Sequence, residues 1–390
     1  MIPEKDFSET KHFPGTTGNP FDIVLHQLKD YENTPIIVFL LTLIALTAIG
    51  TVFSLIHTSF THSLILFGII LIDWNLVGWL PRAQRSFGPI KPAVLQLAIA
   101  RCFFALIPFP LWLFSLIQLI GTGLVIYGFW IEPFQLNTTH ITLNTPKLKP
   151  GSSIKMLHLG DLHFERLTKR EQDLLKKIAA LSPDVILFSG DILNLSYLRD
   201  EQAREGARAL LEQIAVLAPL GLYLVSGSPA VDLEEIMPDL LADLPVHLLE
   251  NEVLSIPAGS DDEITLVGLH CTHYPFEDGP TLEKITKTLD QNNFKILLYH
   301  TPDLAPVAAR LAFDIQLSGH THGGQVRLPI YGALFTGSLY GKIFEAGLYE
   351  LNNMKLYITR GIGLEGAGAP RVRFLCPPEI ILWEISSSIK

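Results

Sequence analysis

The stretch Leu317-Ser318-Gly319-His320-Thr321-His322-Gly323-Gly324-Gln325 decides how this chain is read. It sets two imidazoles at i and i+2 among glycines, directly after an apolar run at Asp314–Leu317. Three earlier runs end in the same kind of residue. Ile154–Leu159 leads into Gly160-Asp161-Leu162-His163, Asp184–Phe188 into Gly190-Asp191, and Phe294–Tyr299 into His300. Between and beyond these runs, helical spacing recurs at Lys169–Leu181, Glu201–Leu217, Leu233–Leu244, Leu282–Leu289 and Asp303–Leu311, and strand patterns at Leu222–Val225 and Ile264–Gly268. After Gln325 the strands crowd together, at Gln325–Leu328, Phe344–Tyr349, Met354–Ile358 and Glu379–Ile385. This alternation predicts an α/β domain over residues 151–390 whose last third is mostly β.

Upstream the composition changes. The chain has 390 residues, 48% hydrophobic and 17% charged, with a mean hydropathy of +0.33, against about 25% charged in an ordinary soluble protein. The deficit is local: between Pro35 and Ile131 the charged residues are Asp73, Arg82, Arg85, Lys91 and Arg101 alone. Residues 1–34 read as a polar tail, 35–131 as a transmembrane block and 132–150 as a linker. Four spans are expected, at Thr34–His57, His62–Leu80, Ala93–Pro108 and Pro110–Ile131, each judged against the roughly 30 Å of hydrocarbon that a helix must cross. The third, short and carrying Arg101, fits a re-entrant or tilted segment as well. Asp73 and Arg101 are expected to pair with each other or to snorkel, so the block reads as an anchor rather than a transport path. The first apolar run begins too far into the chain for a signal peptide.

A net charge of −10 argues against nucleic acid as a partner. Three cysteines, Cys102, Cys271 and Cys376, form neither a disulfide framework nor a CxxC pattern and suit a reducing compartment. Partners are therefore a lipid bilayer and a small substrate, with the oligomeric state left open.

The chemistry gathers after the strands. Carboxyl ends of buried α/β strands are where ligands bind, and an Asp and a His two residues apart in extended backbone can face one ion together. Taken one at a time, such residues are usually helix caps or core histidines. Six of them, Asp161, His163, Asp191, His300, His320 and His322, at four strand ends are another matter. Their mixed N/O donors suit a pair of divalent transition metals, Mn, Fe, Zn or Co.

The series D-x-H (Asp161, His163), G-D (Asp191), a later His300 and G-H-T-H-G-G-Q (Gly319–Gln325) resembles the calcineurin-like metallophosphoesterases, and within them the membrane-anchored YkuE-like group. The resemblance covers about residues 150–385. It implies a β-sandwich with helices on both outer faces, in which Asp161, His163 and His322 hold one metal, His300 and His320 the other, and Asp191 bridges them. It further implies a phosphate-containing substrate, cleaved by a metal-bridging hydroxide without a covalent intermediate, and offers UDP-2,3-diacylglucosamine pyrophosphate as a lipid-linked candidate. The family's G-N-H-[DE] is replaced here by Gly227-Ser228-Pro229-Ala230-Val231-Asp232. Ser228 is a weaker ligand than the Asn it replaces, and Pro229 has no proton for a leaving group. This shifts the expectation toward pyrophosphates, whose leaving groups need no general acid. His273, in the segment GLHCTHYP, is the candidate replacement for the missing imidazole, while His158 is expected to face the core and Asn194 to serve a turn. Two other readings stand beside the membrane-surface phosphoesterase: a phosphodiesterase or phosphatase of a soluble nucleotide, and a catalytically silent membrane binding or sensory protein.

Short loops orient membrane helices through their Lys and Arg. Arg82, Arg85 and Lys91 lie in one loop, Lys5, Lys11 and Lys29 in the tail, and none in the other two turns. With four spans, tail, basic loop and carboxy-terminal domain share the cytoplasm of a cell-membrane protein. A reporter fused after Lys390 is expected to be active only in its cytoplasmic form; activity restricted to the periplasmic form would reverse the orientation.

Overall fold

The structure, a computed structural model, describes residues 2–10, 19–52, 60–259 and 262–388. The amino-terminal block holds α1 (Pro20–Asp30), α2 (Ile36–Val52), α3 (Phe60–Trp79), α4 (Ile90–Ala105) and α5 (Leu111–Ile126). The last continues through a π-turn at Tyr127–Ile131 and a tight turn at Glu132–Phe134. There follow β1 (Asn137–Thr145), β2 (Ser153–Leu159), α6 (Lys169–Leu181), β3 (Val185–Phe188), α7 (Glu201–Ala215), β4 (Leu222–Leu224), α8 (Met237–Leu241), β5 (Val246–Leu248), β6 (Glu252–Pro257) and β7 (Glu263–Gly268). Then come α9 (Pro275–Thr286), β8 (Phe294–Leu298), α10 (Ala305–Arg310), β9 (Ile315–Ser318), a small hairpin of β10 (Arg327–Leu328) and β11 (Gly332–Ala333), β12 (Gly347–Leu351), β13 (Met354–Ile358) and β14 (Glu379–Ser387).

Two six-stranded sheets, in the orders β1-β14-β2-β3-β4-β5 and β12-β13-β9-β8-β7-β6, make a mixed α/β fold with parallel centres. The period-2 alternation of strand side chains decides what each face touches. Met156 and Leu187 point into a core shared with Leu266, Ile296 and Leu317 of the other sheet. Their neighbours Leu157 and Phe188 point the other way, onto Leu174 and Ile178 of α6 and Leu211 of α7. On the far side Leu297 and Ile358 pack beneath Leu282 of α9 and Ala308 of α10. Two of the helices start on capping residues. Thr168 and Glu171 form a capping box on α6, and Asp200 accepts from Ala203 N at 2.8 Å on α7, caps typically worth about 1 kcal/mol.

Some elements differ from the periodicity. The stretch expected to be a helix at Leu233–Leu244 shortens to α8, with Pro238 in its first turn. The helix expected at Leu282–Leu289 begins earlier, at Pro275, where a proline suits the first turn. Within the expected linker, β1 pairs in parallel with β14 along all nine residues. Its sequence, NTTHITLNT, is an edge strand with one wet face, so it carries little apolar signal.

The membrane block departs from four clean spans. Among the described residues, two helices are long and apolar enough to cross a bilayer, Phe60–Trp79 with 20 residues and Leu111–Phe134 with 24. A third arises only if Ile23–Asn33 and Ile36–Thr51, bent by 117° at their junction, count as one span. The expected third span is α4, whose 16 residues rise only about 24 Å at 1.5 Å each. Residues 53–59, the end of the first expected span and part of the turn after it, lie outside the described residues.

Asp73 and Arg101 do pair. The guanidinium meets both carboxylate oxygens at 2.9 and 2.8 Å, and its remaining donors reach Gln118 O, Gln118 Oε1 and Thr122 Oγ1. One buried cation thus ties α3, α4 and α5, and a Cβ at Gly121 would collide with it. Removing one partner of a buried pair strands the other charge, at a cost of about 3–5 kcal/mol. Arg101→Met is therefore expected to lower the thermal midpoint of the detergent-solubilised protein sharply, and Asp73→Leu/Arg101→Met to recover most of the loss. Additive losses in the double variant would show that the pair is not coupled.

Candidate metal centre

The loops after β2, β3, β8 and β9 converge at one end of the two sheets, and their backbone is strained where it does so. Asp161, His163, Asp191, His273, His320 and His322 all have positive φ, between +41° and +68°, a region that non-glycine residues seldom enter. Such strain costs on the order of 1–3 kcal/mol per residue and persists only where the surroundings impose it. Glycines make the approach possible. Gly190 (φ +96°) packs its Cα face onto Gly227, and a Cβ at Gly319 would collide with the Asp161 carboxylate.

All six residues singled out after the strands meet here, five of them buried and His320 half-buried. His163 Nε2 lies 2.9 Å from His322 Nε2, and His322 Nε2 is 4.0 Å from Asp161 Oδ1. Asp191 Oδ2 sits 3.5 Å from His163 Nε2 and 3.4 Å from His300 Nε2, between the two sides of the cluster. His300 Nδ1 is 2.7 Å from Ser189 O, which directs Nε2 into the site. Ser228 is present as well: its N–H donates to Asp191 Oδ1 at 2.7 Å, and its Oγ lies 3.1 Å from His300 Nε2 and 3.5 Å from His320 Nδ1. His273 enters from the loop before α9, with its ring 4.6 Å from that of His320 and 5.9 Å from that of His300.

Three groups place one ligand atom per residue within 4.8 Å of one another: Asp161–His163–His322, His273–His300–His320 and Asp161–Asp191–His300. Donor chemistry fits a divalent cation. The imidazoles of His163 and His322 turn Nε2 toward each other, and the buried Asp161 Oδ2 beside them has no hydrogen-bond partner among the described residues, an arrangement that costs free energy unless something else satisfies it.

The charges show what an ion would meet. Burial, with repulsion from Asp191, lifts Asp161 to about 7 against the pull of His300 and His163. Burial also opposes ionisation of Asp191, yet His300 and His163 outweigh it and hold this carboxyl well below its usual range. His300 answers in kind: burial would lower it, but Asp191 raises it to about 9. Burial and neighbouring imidazoles push His320 and His322 well below the usual histidine range.

Positioning residues surround the cluster, and periodicity gave no sign of them. Asp232 accepts from the N–H groups of Asp191 (2.8 Å), Ile192 (3.0 Å) and Gly227 (2.8 Å), binding two ligand loops to each other. Its acid, just past the Gly227 turn, was the one available signal. Glu365 Oε2 approaches His322 Nε2 to 4.0 Å. Arg373, fully buried, donates to the carbonyls of Arg360, Gly361, Gly363 and Cys376 and so holds the loop behind Asp161. His158 is buried on β2 beside Ser189 Oγ (3.1 Å), outside the three groups. Asn194 donates to Leu364 O and accepts from Ser196 N, a turn role.

Comparison with known proteins gives these groups a context. No family model matches the chain. It is 29% identical over 267 residues to the metallophosphoesterase YkuE of Bacillus subtilis, spanning 67% of this chain and 90% of that protein. Against the phosphodiesterase YaeI of Escherichia coli the identity is 28% over 254 residues, 60% of this chain and 83% of the relative. Against LpxG of Chlamydia trachomatis, named a UDP-2,3-diacylglucosamine pyrophosphatase, it is 25% over 307 residues, 65% of this chain and 90% of the relative.

Metal ligands must shed their protons. With His300 raised to about 9, a divalent ion bound at pH 7 is expected to expel at least one proton per chain, and affinity to climb as the pH approaches 9. Calorimetric titration in buffers of different ionisation enthalpy checks this; pH-independent affinity without proton release would show that His300 is not displaced.

Proposed function

Because the chain is a calcineurin-like metallophosphoesterase, a hydrolase of phosphate ester bonds, we propose that it uses two divalent cations to cleave a lipid-linked pyrophosphate or phosphodiester at a membrane surface. The observation that carries this reading is the adjacency of two three-residue groups, Asp161–His163–His322 and His273–His300–His320, with Asp191 3.5 Å from a member of the first and 3.4 Å from a member of the second. Each group would hold one cation, with Asp191 shared. Mn, Fe, Zn and Co all suit the donors. Bound there, such ions supply Lewis acidity and an activated water near neutral pH.

The protein's own groups do the rest. His300 is oriented through Ser189 O, His320 through Gly337 O, which lies 3.2 Å from its Nε2, and Asp191 through Asp232. Ligand atoms of His273, His300 and His320 lie within 4.8 Å of one another, which favours His273 as a ligand of the second cation over a leaving-group acid. Ser228, whose N–H already serves Asp191, then needs no strong metal bond. A site without a general acid suits leaving groups of low pKa, hence a pyrophosphate. The diacylated nucleotide sugar in the name of the chlamydial relative is a candidate of this kind.

Membrane anchoring rests on the two long apolar helices and on what touches the domain. From the tail, Phe7 packs edge-on against Tyr340 at 5.3 Å. From the basic loop, Phe87 N donates to Glu165 at 3.0 Å and Phe87 O accepts from Tyr197 at 2.5 Å. These contacts support a reading in which tail, basic loop and domain share one side of the bilayer, and the Lys and Arg content of the first two favours the cytoplasm as that side.

Purified full-length protein is expected to hydrolyse bis-p-nitrophenyl phosphate with Mn²⁺ and to lose this with a chelator. Asp191→Asn is expected to lower kcat/KM by at least about a hundredfold, near 2.7 kcal/mol of barrier. His273→Ala is expected to reduce bound metal from two ions per chain toward one, read by elemental analysis. Two bound ions with no turnover in any of the four metals would favour the silent binding protein instead.

A further inference from the structure

The apolar groove between α4, α5 and the catalytic domain has no role in the site described above. Leu97 and Phe104 of α4 and Leu124 of α5 face Val326, Val372 and Phe374 of the domain around a cavity of about 350 Å³, within the size range of small-molecule sites. Its polar groups are Arg101 and Gln118, and Arg101 is already engaged by Asp73, Gln118 and Thr122. The lining therefore offers a ligand almost nothing but hydrocarbon.

The groove wall is tied to a ligand loop of the metal centre. Val326 stands four residues after His322, so their Cα atoms lie within about 14 Å of each other, whatever the path between them. Phe374 N donates to Gln325 O at 2.8 Å and Phe374 O accepts from Arg327 N at 2.9 Å, fixing the groove wall to the ligand loop. Beside this wall the β10–β11 hairpin exposes Ile330, Tyr331, Leu334 and Phe335. Gly337, just past it, accepts or shares the proton of His320 Nε2 through its carbonyl at 3.2 Å. Contiguous exposed apolar residues on a soluble face mark a surface for membrane or partner, and here they adjoin both the groove and a ligand loop.

We propose that the groove seats an acyl chain of a membrane lipid while that lipid's phosphate group reaches the metal centre, with the Ile330–Phe335 hairpin resting in the bilayer interface. The inference rests on the phosphoesterase reading and adds where the substrate's hydrocarbon lies. A lipid in the bilayer can enter such a seat sideways between helices, so its head group need not leave the interface to be cut.

The test uses the full chain in phosphatidylcholine nanodiscs, with phosphatidic acid carrying a diazirine at the end of one acyl chain. After irradiation, label is expected on Leu97, Phe104, Leu124 and Phe374, and unlabelled phosphatidic acid is expected to suppress it, whereas diacylglycerol and glycerol phosphate are not. Label spread evenly over outward residues such as Ile37, Leu41 and Phe60, or equal suppression by diacylglycerol, would overturn the proposal. As a second readout, Ala100→Trp, which fills the groove, is expected to lower kcat/KM for a diacylated pyrophosphate relative to bis-p-nitrophenyl phosphate by about tenfold; an unchanged ratio would count against the seat. Absence of all hydrolysis would defeat the enzyme reading while the labelling pattern still decides the groove.

Discussion

Two carboxylates, Asp161 and Asp191, lie buried beside each other, and much of the domain is arranged around that like-charge contact. Burial and mutual repulsion raise Asp161 to about 7, while Asp191 stays ionised through His300 and His163. Isolated charges in a low-dielectric interior are expensive unless paired or bound to metal. Imidazoles meet part of this demand, and divalent cations would meet the remainder. The strained backbone at six site residues follows from the same constraint, since ordinary strand exits would not turn so many ligand atoms toward one point.

The second organising contact joins the membrane block to the site. Glu132, at the end of the long carboxy-terminal apolar helix, accepts from Leu375 N at 2.8 Å and Cys376 N at 2.6 Å. Cys376 Sγ in turn donates to His322 O at 3.2 Å, and Arg373 N donates to Gly128 O at 3.0 Å. A helix apolar enough to span a bilayer is thus joined within two residues to a ligand loop. The catalytic face is held against the block rather than swinging on a tether, and the 132–150 segment is built into a sheet as an edge strand.

The replaced G-N-H motif looks at first like a lost function. Its surroundings read otherwise. Ser228 keeps the backbone N–H that supports Asp191, Asp232 still gathers the loop, and a third imidazole stands beside His300 and His320. What is missing is a proton donor at Pro229, while the backbone support of Asp191 is kept.

Much of this was legible along the chain. Apolar runs ending in Asp or His placed six site residues at strand ends, and the charge gap at 35–131 marked the block of apolar helices, because strand exits and hydropathy are properties of neighbouring residues. The number of qualifying spans was not legible: a 16-residue helix and a 117° bend depend on how helices pack, which hydropathy does not sense. Nor was the strand within 137–145, whose polar edge only its pairing with β14 explains. The sequence by itself determined which residues could ligate and on which strand ends they stand. Tertiary structure alone decided that His273 joins them, that Asp232 and Arg373 hold their loops, and that a hydrocarbon groove opens a few residues from His322. Each of these is a contact between segments distant in the chain, brought together by burial rather than by local spacing.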